Sequence, residues 1–237
     1  MNMDHIKIVA RKELREIATN KGTLVTAVVF SSFFLFTNIA PLMSAAEQGD
    51  AVPLGWPIIY LSLFVGTFSG FVLCGTVFFR EKQSGVIETL LCTPLSLRSI
   101  WLGKVLGVAI PSYLLSLMSA GALVALSVVM SPQVTVPVLL VALHLAVVAP
   151  LFITSAIGLV GYVQLAKGMR ENRLISMGVF VVLIMGLSIS SGAVQADASL
   201  VTQVVLVLLG VAAVLFSISF RMSRTLDKEK IVTTIPD

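Results

Sequence analysis

Six charged residues, Arg80, Glu81, Lys82, Glu88, Arg98 and Lys104, are gathered within 25 positions that lie between two long charge-free runs. Side chains of both signs at this spacing suit ion-pair docking to another surface, and several other chemistries can be tested against the same residues. Gly103-Lys104 looks at first like a phosphate grip. A phosphate loop needs a glycine five positions before the second one and a Ser or Thr after the lysine, and those positions hold Arg98 and Val105. There is no HExxH, Cys/His cluster, GxSxG elbow or buried carboxylate pair, so the sequence points to no metal, nucleophile or acid–base site. His144 is the one titratable group in the middle of an apolar run. Without an acidic partner in any run it reads as a packing residue in preference to a proton relay. Cys74 and Cys92 are placed for neither a disulfide nor a metal cluster.

The elements that position these residues follow from composition. Of 237 residues 57% are hydrophobic and only 12% charged, with a mean hydropathy of +1.01. A soluble domain carries about 25% charge, which excludes that class. No Asp, Glu, Lys or Arg occurs in 22–46, 51–79, 105–166, 174–196 or 198–220. A membrane-crossing helix needs about 20 apolar residues, so 105–166 holds two, joined near Ser131-Pro132-Gln133. The expectation is an all-α polytopic membrane protein with six spans at about 23–43, 57–79, 105–130, 134–162, 174–194 and 199–220. The first is read as an uncleaved span behind a charged leader, ending at Pro41.

Orientation follows from the basic residues, which are retained on the cytoplasmic side. All sixteen fall before the first span, in 80–104, in 167–173 or after Phe220, whereas the opposite loops carry Glu47, Asp50 and Asp197 and no base. Both termini, including the tail 221–237, are therefore expected to be cytoplasmic. The basic balance reflects this topology and an anionic leaflet and requires no nucleic acid.

Residues 4–21 place Ile6, Val9, Ala10, Leu14, Ile17 and Ala18 on one face and Lys7, Arg11, Lys12 and Arg15 on another. This predicts an amphipathic helix at the interface, its four basic residues anchoring it to lipid headgroups. Gly66 and Gly70, four apart in the second span, permit close packing within the chain. Pro111 and Pro150 predict kinks in the third and fourth spans. Within 80–104, Ser84 caps a short helix over 85–92 with Glu88 facing away from Val86 and Leu90, Pro94 ends it, and Ser96 restarts a helix leading through Trp101 into the third span. Such an element is continuous with two spans and suits force transmission from a soluble partner.

Here the sequence resembles a known family. Glu81, Gly85, Glu88, Leu90, Leu91, Pro94, Gly103 and Lys104, placed between the second and third spans, resemble the cytoplasmic motif of ATP-binding cassette type-2 permeases. Arg11-Lys12-Glu13-Leu14 in the leading helix and the six-span layout extend the resemblance over nearly the whole chain. It implies that 80–104 is a coupling helix seated in a groove of a separate cytoplasmic ATPase, that ATP and magnesium are bound by that partner while this chain holds no cofactor, and that two permease chains, identical or related, pair in the plasma membrane. It implies an exporter subunit that is not itself an enzyme. The cargo expected from the apolar spans is apolar, amphipathic or peptide-like. Many members carry a hairpin between the fifth and sixth spans, and this chain has almost no residues there. A secondary transporter or channel, or a membrane assembly factor without transport, are the rival classes.

Overall fold

The computed structural model describes residues 3–47, 52–93, 95–130, 134–166, 169–196, 200–226 and 231. The Ser131-Pro132-Gln133 turn, Pro94, Asp50, Asp197 and most of the tail beyond Leu226 lie outside them. Among the described residues the protein is almost wholly helical. Helix α1 (Met3–Thr19) is followed by α2 (Lys21–Glu47), α3 (Gly55–Cys74), the short α4 (Glu81–Gln83) and α5 (Val86–Leu91), α6 (Leu97–Met130), α7 (Val138–Leu143), α8 (Ala149–Ala166), α9 (Met169–Ala196) and α10 (Val201–Met222). Among the described residues five helical stretches are long and apolar enough to cross a membrane, and a shorter apolar stretch, Met177–Ile189, lies in α9. The chain is an all-α membrane protein.

Several boundaries differ from those expected. Helix α2 continues through Pro41 to Glu47, because a proline late in an apolar helix removes one donor without forcing the chain into water. Asn20 makes the break before it, its Oδ1 accepting from the Thr23 N–H at 3.3 Å. The fourth span starts at Val138, since Val134–Thr135 is a strand (β2) paired in parallel with Val52–Pro53 (β1). Gly55 allows that junction: a Cβ there would lie 2.8 Å from Pro137 Cγ.

Two π-helical turns interrupt the bundle, Gly75–Arg80 joining α3 to α4 and His144–Val148 joining α7 to α8. In the second, the Ala149 N–H bonds His144 O. The widened ladder then offers Leu145 O to residue 150, a proline with no N–H. The Tyr113 hydroxyl supplies the missing donor to Leu145 O at 2.7 Å.

Helix α3 is the centre of the core, with fifteen of its residues buried. It runs parallel to α8: a Cβ on Gly66 would meet Ile153 at 2.2 Å, one on Gly70 would meet Ile157 at 2.7 Å, and Gly161 faces the Phe78 ring. Gly66 and Gly70 thus serve packing within the chain, as the sequence suggested. Helix α10 is also parallel to α8, since Ser155 donates to Ala212 O at 3.4 Å and Tyr162 meets Thr225 at 3.0 Å.

Candidate functional site

Helix α1 has one helical face in which Ile6, Val9, Ala10, Glu13 and Ile17 are buried. That face lies on the first turns of α6, where two glycines remove the obstacle of side chains. A Cβ on Gly103 would come within 2.5 Å of Val9 Cβ, and one on Gly107 within 2.6 Å of Glu13 Cβ. The apolar stripe expected to rest on lipid is therefore spent on protein.

Glu13, in the middle of that stripe, needs a partner because a buried lone carboxylate is costly. Lys104, one residue after Gly103, provides it: Nζ donates to Glu13 Oε1 at 2.9 Å, to Val77 O at 3.2 Å and to Glu81 Oε2. Both Lys104 and Glu13 have fully buried side chains, and Glu81 nearly so. Val77 lies in the π-helical turn, so Lys104 also supplies a donor where the helical ladder is distorted. Lys12 completes the cluster, donating to Glu81 Oε1 at 2.7 Å and lying 3.3 Å from Glu13 Oε1 and 3.5 Å from Glu16 Oε2. Burial opposes its charge, yet the hydrogen bond to Glu81 and the fields of Glu13, Glu81 and Glu16 outweigh it and hold the Lys12 ammonium above the ordinary lysine range.

Three helices are thus tied at one point. Glu81 opens the segment 80–104 and Lys104 closes it, so their ion pair clasps its base. Glu13, Glu16 and Glu81 bring carboxylate oxygens within 4.8 Å of one another, a grouping that could hold a cation. The Lys104 and Lys12 ammoniums already bond two of these carboxylates, so the cations of the cluster are the chain's own.

Beyond the clasp, Gly85 takes the left-handed conformation, φ 70°, that a residue with a Cβ adopts at a cost. It reverses the chain between α4 and α5. The short helix runs Val86–Leu91, within the expected 85–92. In it Ile87 is buried, whereas Val86 is 43% exposed and Thr89 and Cys92 face outward. Leu90 is half-buried. The side chains of Glu88 and Leu91 lie outside the described residues, as does Pro94. Of the eight motif residues, Glu81, Gly103 and Lys104 are therefore gathered inside at the base, while Gly85 precedes the short helix and Leu90 lies on it. Lys7, Arg11 and Arg15 are exposed on the outer face of α1, apart from Lys12.

Glu13 is the participant that sequence reasoning passed over as a binding residue. Its signal was position: a carboxylate at the centre of the spacing Ile6, Val9/Ala10, Ile17. His144 is fully buried, with Nε2 3.0 Å from Ser62 Oγ, while the Ser116 hydroxyl donates to Ser62 O at 2.7 Å. These bonds join α3, α6 and the second π turn, in keeping with a packing role. A cleft between α2 and α6, lined by Ser31, Leu35, Met118 and Ser119 among others, has a volume of about 160 Å³. That is below the roughly 300 Å³ of a small-molecule pocket.

No protein-family model matches the chain, and no curated protein matches it significantly.

Proposed function

We propose that the protein is the membrane-spanning subunit of an ATP-driven exporter of the ATP-binding cassette type-2 kind, with segment 80–104 as the docking element for a separate cytoplasmic ATPase. The observation that carries this reading is the clasp. Glu81 and Lys104 bond each other at the two ends of the segment, so Val86–Leu91 is carried on a fixed base that is continuous with α3 and α6. A push on the short helix then reaches both long helices, as a lipid-resting connector would not require. Helix α6 supports the same geometry: its 34 residues extend about 51 Å at about 1.5 Å per residue, against a hydrocarbon core of about 30 Å. Its first turns stand outside the membrane beside α1.

The finer topology belongs to this reading. α8 and α10 run parallel, and α8 ends near the ion cluster, so the chain must cross the bundle between Ala166 and Val201. α9, with 28 residues, is the element that does so. This favours six spans, with the ends of α1 and α10 on the side bearing the basic residues, the cytoplasmic face of the plasma membrane. The chain acts without an ATPase site of its own, and ATP and magnesium belong to the partner. A cargo path between two permease chains, identical or related, belongs to the same reading; an apolar, amphipathic or peptide-like cargo fits such walls.

The test is purification of the full chain with its native associates, followed by ATPase assay in proteoliposomes. An ATPase should co-purify, and Glu88→Ala or Leu91→Ala should uncouple its hydrolysis from transport while the protein stays in the membrane. Flux without ATP or partner would turn the reading to a secondary transporter or channel.

A further inference from the structure

Glu81 and Lys82 are neighbours on α4 and point to different parts of the bundle. Glu81 reaches α1 and α6, whereas Lys82 reaches α8, donating from Nζ to Leu165 O at 2.9 Å. The Lys82 side chain is fully buried. Leu165 lies in the last turn of α8, where carbonyls have no intrahelical donor and the helix dipole is negative. A buried ammonium is well suited to that place. One turn earlier on the same seam Phe78 covers Gly161 so closely that a Cβ there would lie 2.8 Å from its ring. The spacing from Phe78 to Lys82 equals that from Gly161 to Leu165, so the contact is a continuing register between two parallel helices.

We infer that Lys82 is a positioning residue that fastens the end of α8 to the base of the docking segment, so that an ATPase moving the segment carries α8 and the start of α9 with it. The inference rests on the docking reading above. It adds that segment 80–104 and the end of α8 follow the ATPase as a single body, although 83 positions separate Lys82 from Leu165. A docking segment clasped to α1 and α6 alone would leave α8 behind.

Distances between spin labels in the complex with the co-purifying ATPase, with and without ATP plus orthovanadate, test it. Cys92 is exposed and Cys74 buried, so the native chain offers one labelling site. The first pair joins Cys92 to Leu174→Cys, a position 72% exposed at the start of α9; the second joins Cys92 to Phe36→Cys, 74% exposed on α2. The expected result is a Cys92–174 distance that nucleotide leaves unchanged while the Cys92–36 distance shifts. Lys82→Met should make the first distance nucleotide-dependent, and Lys82→Arg, which keeps a cationic donor, should restore its constancy. A Cys92–174 distance that shifts in the wild-type complex overturns the inference without any variant, as does a Lys82→Met complex indistinguishable from wild type. Absence of any shift in the Cys92–36 pair overturns the docking reading and this inference with it.

Discussion

Lys104 is bonded by two carboxylates and a backbone carbonyl in a site closed to solvent. A buried ion pair adds little net stability compared with apolar packing, but removing one member leaves charge buried and uncompensated. Lys104→Met should therefore cost about 3 to 5 kcal/mol, read as a lower midpoint of unfolding in detergent. Adding Glu13→Gln to it should cost less than the sum of the two single changes, because the second removes a charge that the first stranded. Lys12 behaves differently. Its pKa is raised by Glu81, Glu13 and Glu16, so its contribution is whole below the unfolded value of about 10.4 and is lost only as pH climbs through the higher folded value. Protection of α1 from proteolysis should not change on this account between about pH 6 and about pH 9. A fall within that window would show that another group governs the docking of α1. The participants were unevenly visible in the sequence. Lys104 stood out because it follows a glycine at the edge of an apolar run, whereas Glu13 lay hidden among eighteen residues already rich in charge. Only its place on the buried face distinguishes it from Glu16, which stays exposed.

Among the elements, helix existence was plain from the charge-free windows, while helix ends and faces were not. Pro41 suggested a terminus because the rule for water-exposed helices was applied where lipid offers the backbone no alternative partner. The faces of the short helix 86–91 are weakly legible, because six residues give too short a periodicity to rank Val86 against Ile87. The left-handed turn at Gly85 sets its direction, and no hydropathy pattern records that. The amphipathic α1 was legible as an element and misleading as to partner, since an apolar stripe looks alike whether lipid or a glycine-lined helix covers it. This gives a prediction at the same scale. Gly103→Leu places a side chain where Val9 already lies, and overpacking of this kind costs about 1 to 3 kcal/mol. The expected outcome is an α1 cleaved by protease in the intact membrane protein while α6 remains protected. Inserting one alanine between Arg80 and Glu81, past the π-helical turn that already absorbs one extra residue, should rotate Glu81 by about 100° relative to α3, one residue's share of a turn. The Lys104 clasp would then be lost with every charged residue still present, and ATP hydrolysis by the associated ATPase should no longer drive transport.

For the molecule as a whole, the contrast between its two ends carries the most weight. At one end Glu13, Glu81, Lys104, Lys82 and Lys12 bond across α1, α4, α6 and α8; at the other, β1 and β2 join by backbone alone, with the Leu54 N–H donating to Thr135 O at 3.0 Å. The basic residues alone give the expected orientation, because the rule that orients a membrane chain acts on sequence before folding. What the rule does not give is that the same charges are also structural. A labelling experiment separates the two roles. Cys92 is exposed beside the clasp and Cys74 is buried, so a membrane-impermeant thiol reagent reads one native position. It should modify Cys92 only after permeabilisation and Asp50→Cys in intact cells. A cysteine replacing Arg224, near the end of α10, should behave like Cys92 on the proposed six-span reading, in which α9 makes the crossing between the parallel α8 and α10. Labelling of position 224 from outside would remove α9 from the membrane and leave five spans. If instead Lys104→Met lowers stability while leaving all three labelling patterns intact, the buried cluster serves the joint and the exposed bases Lys7, Arg11 and Arg15 serve orientation.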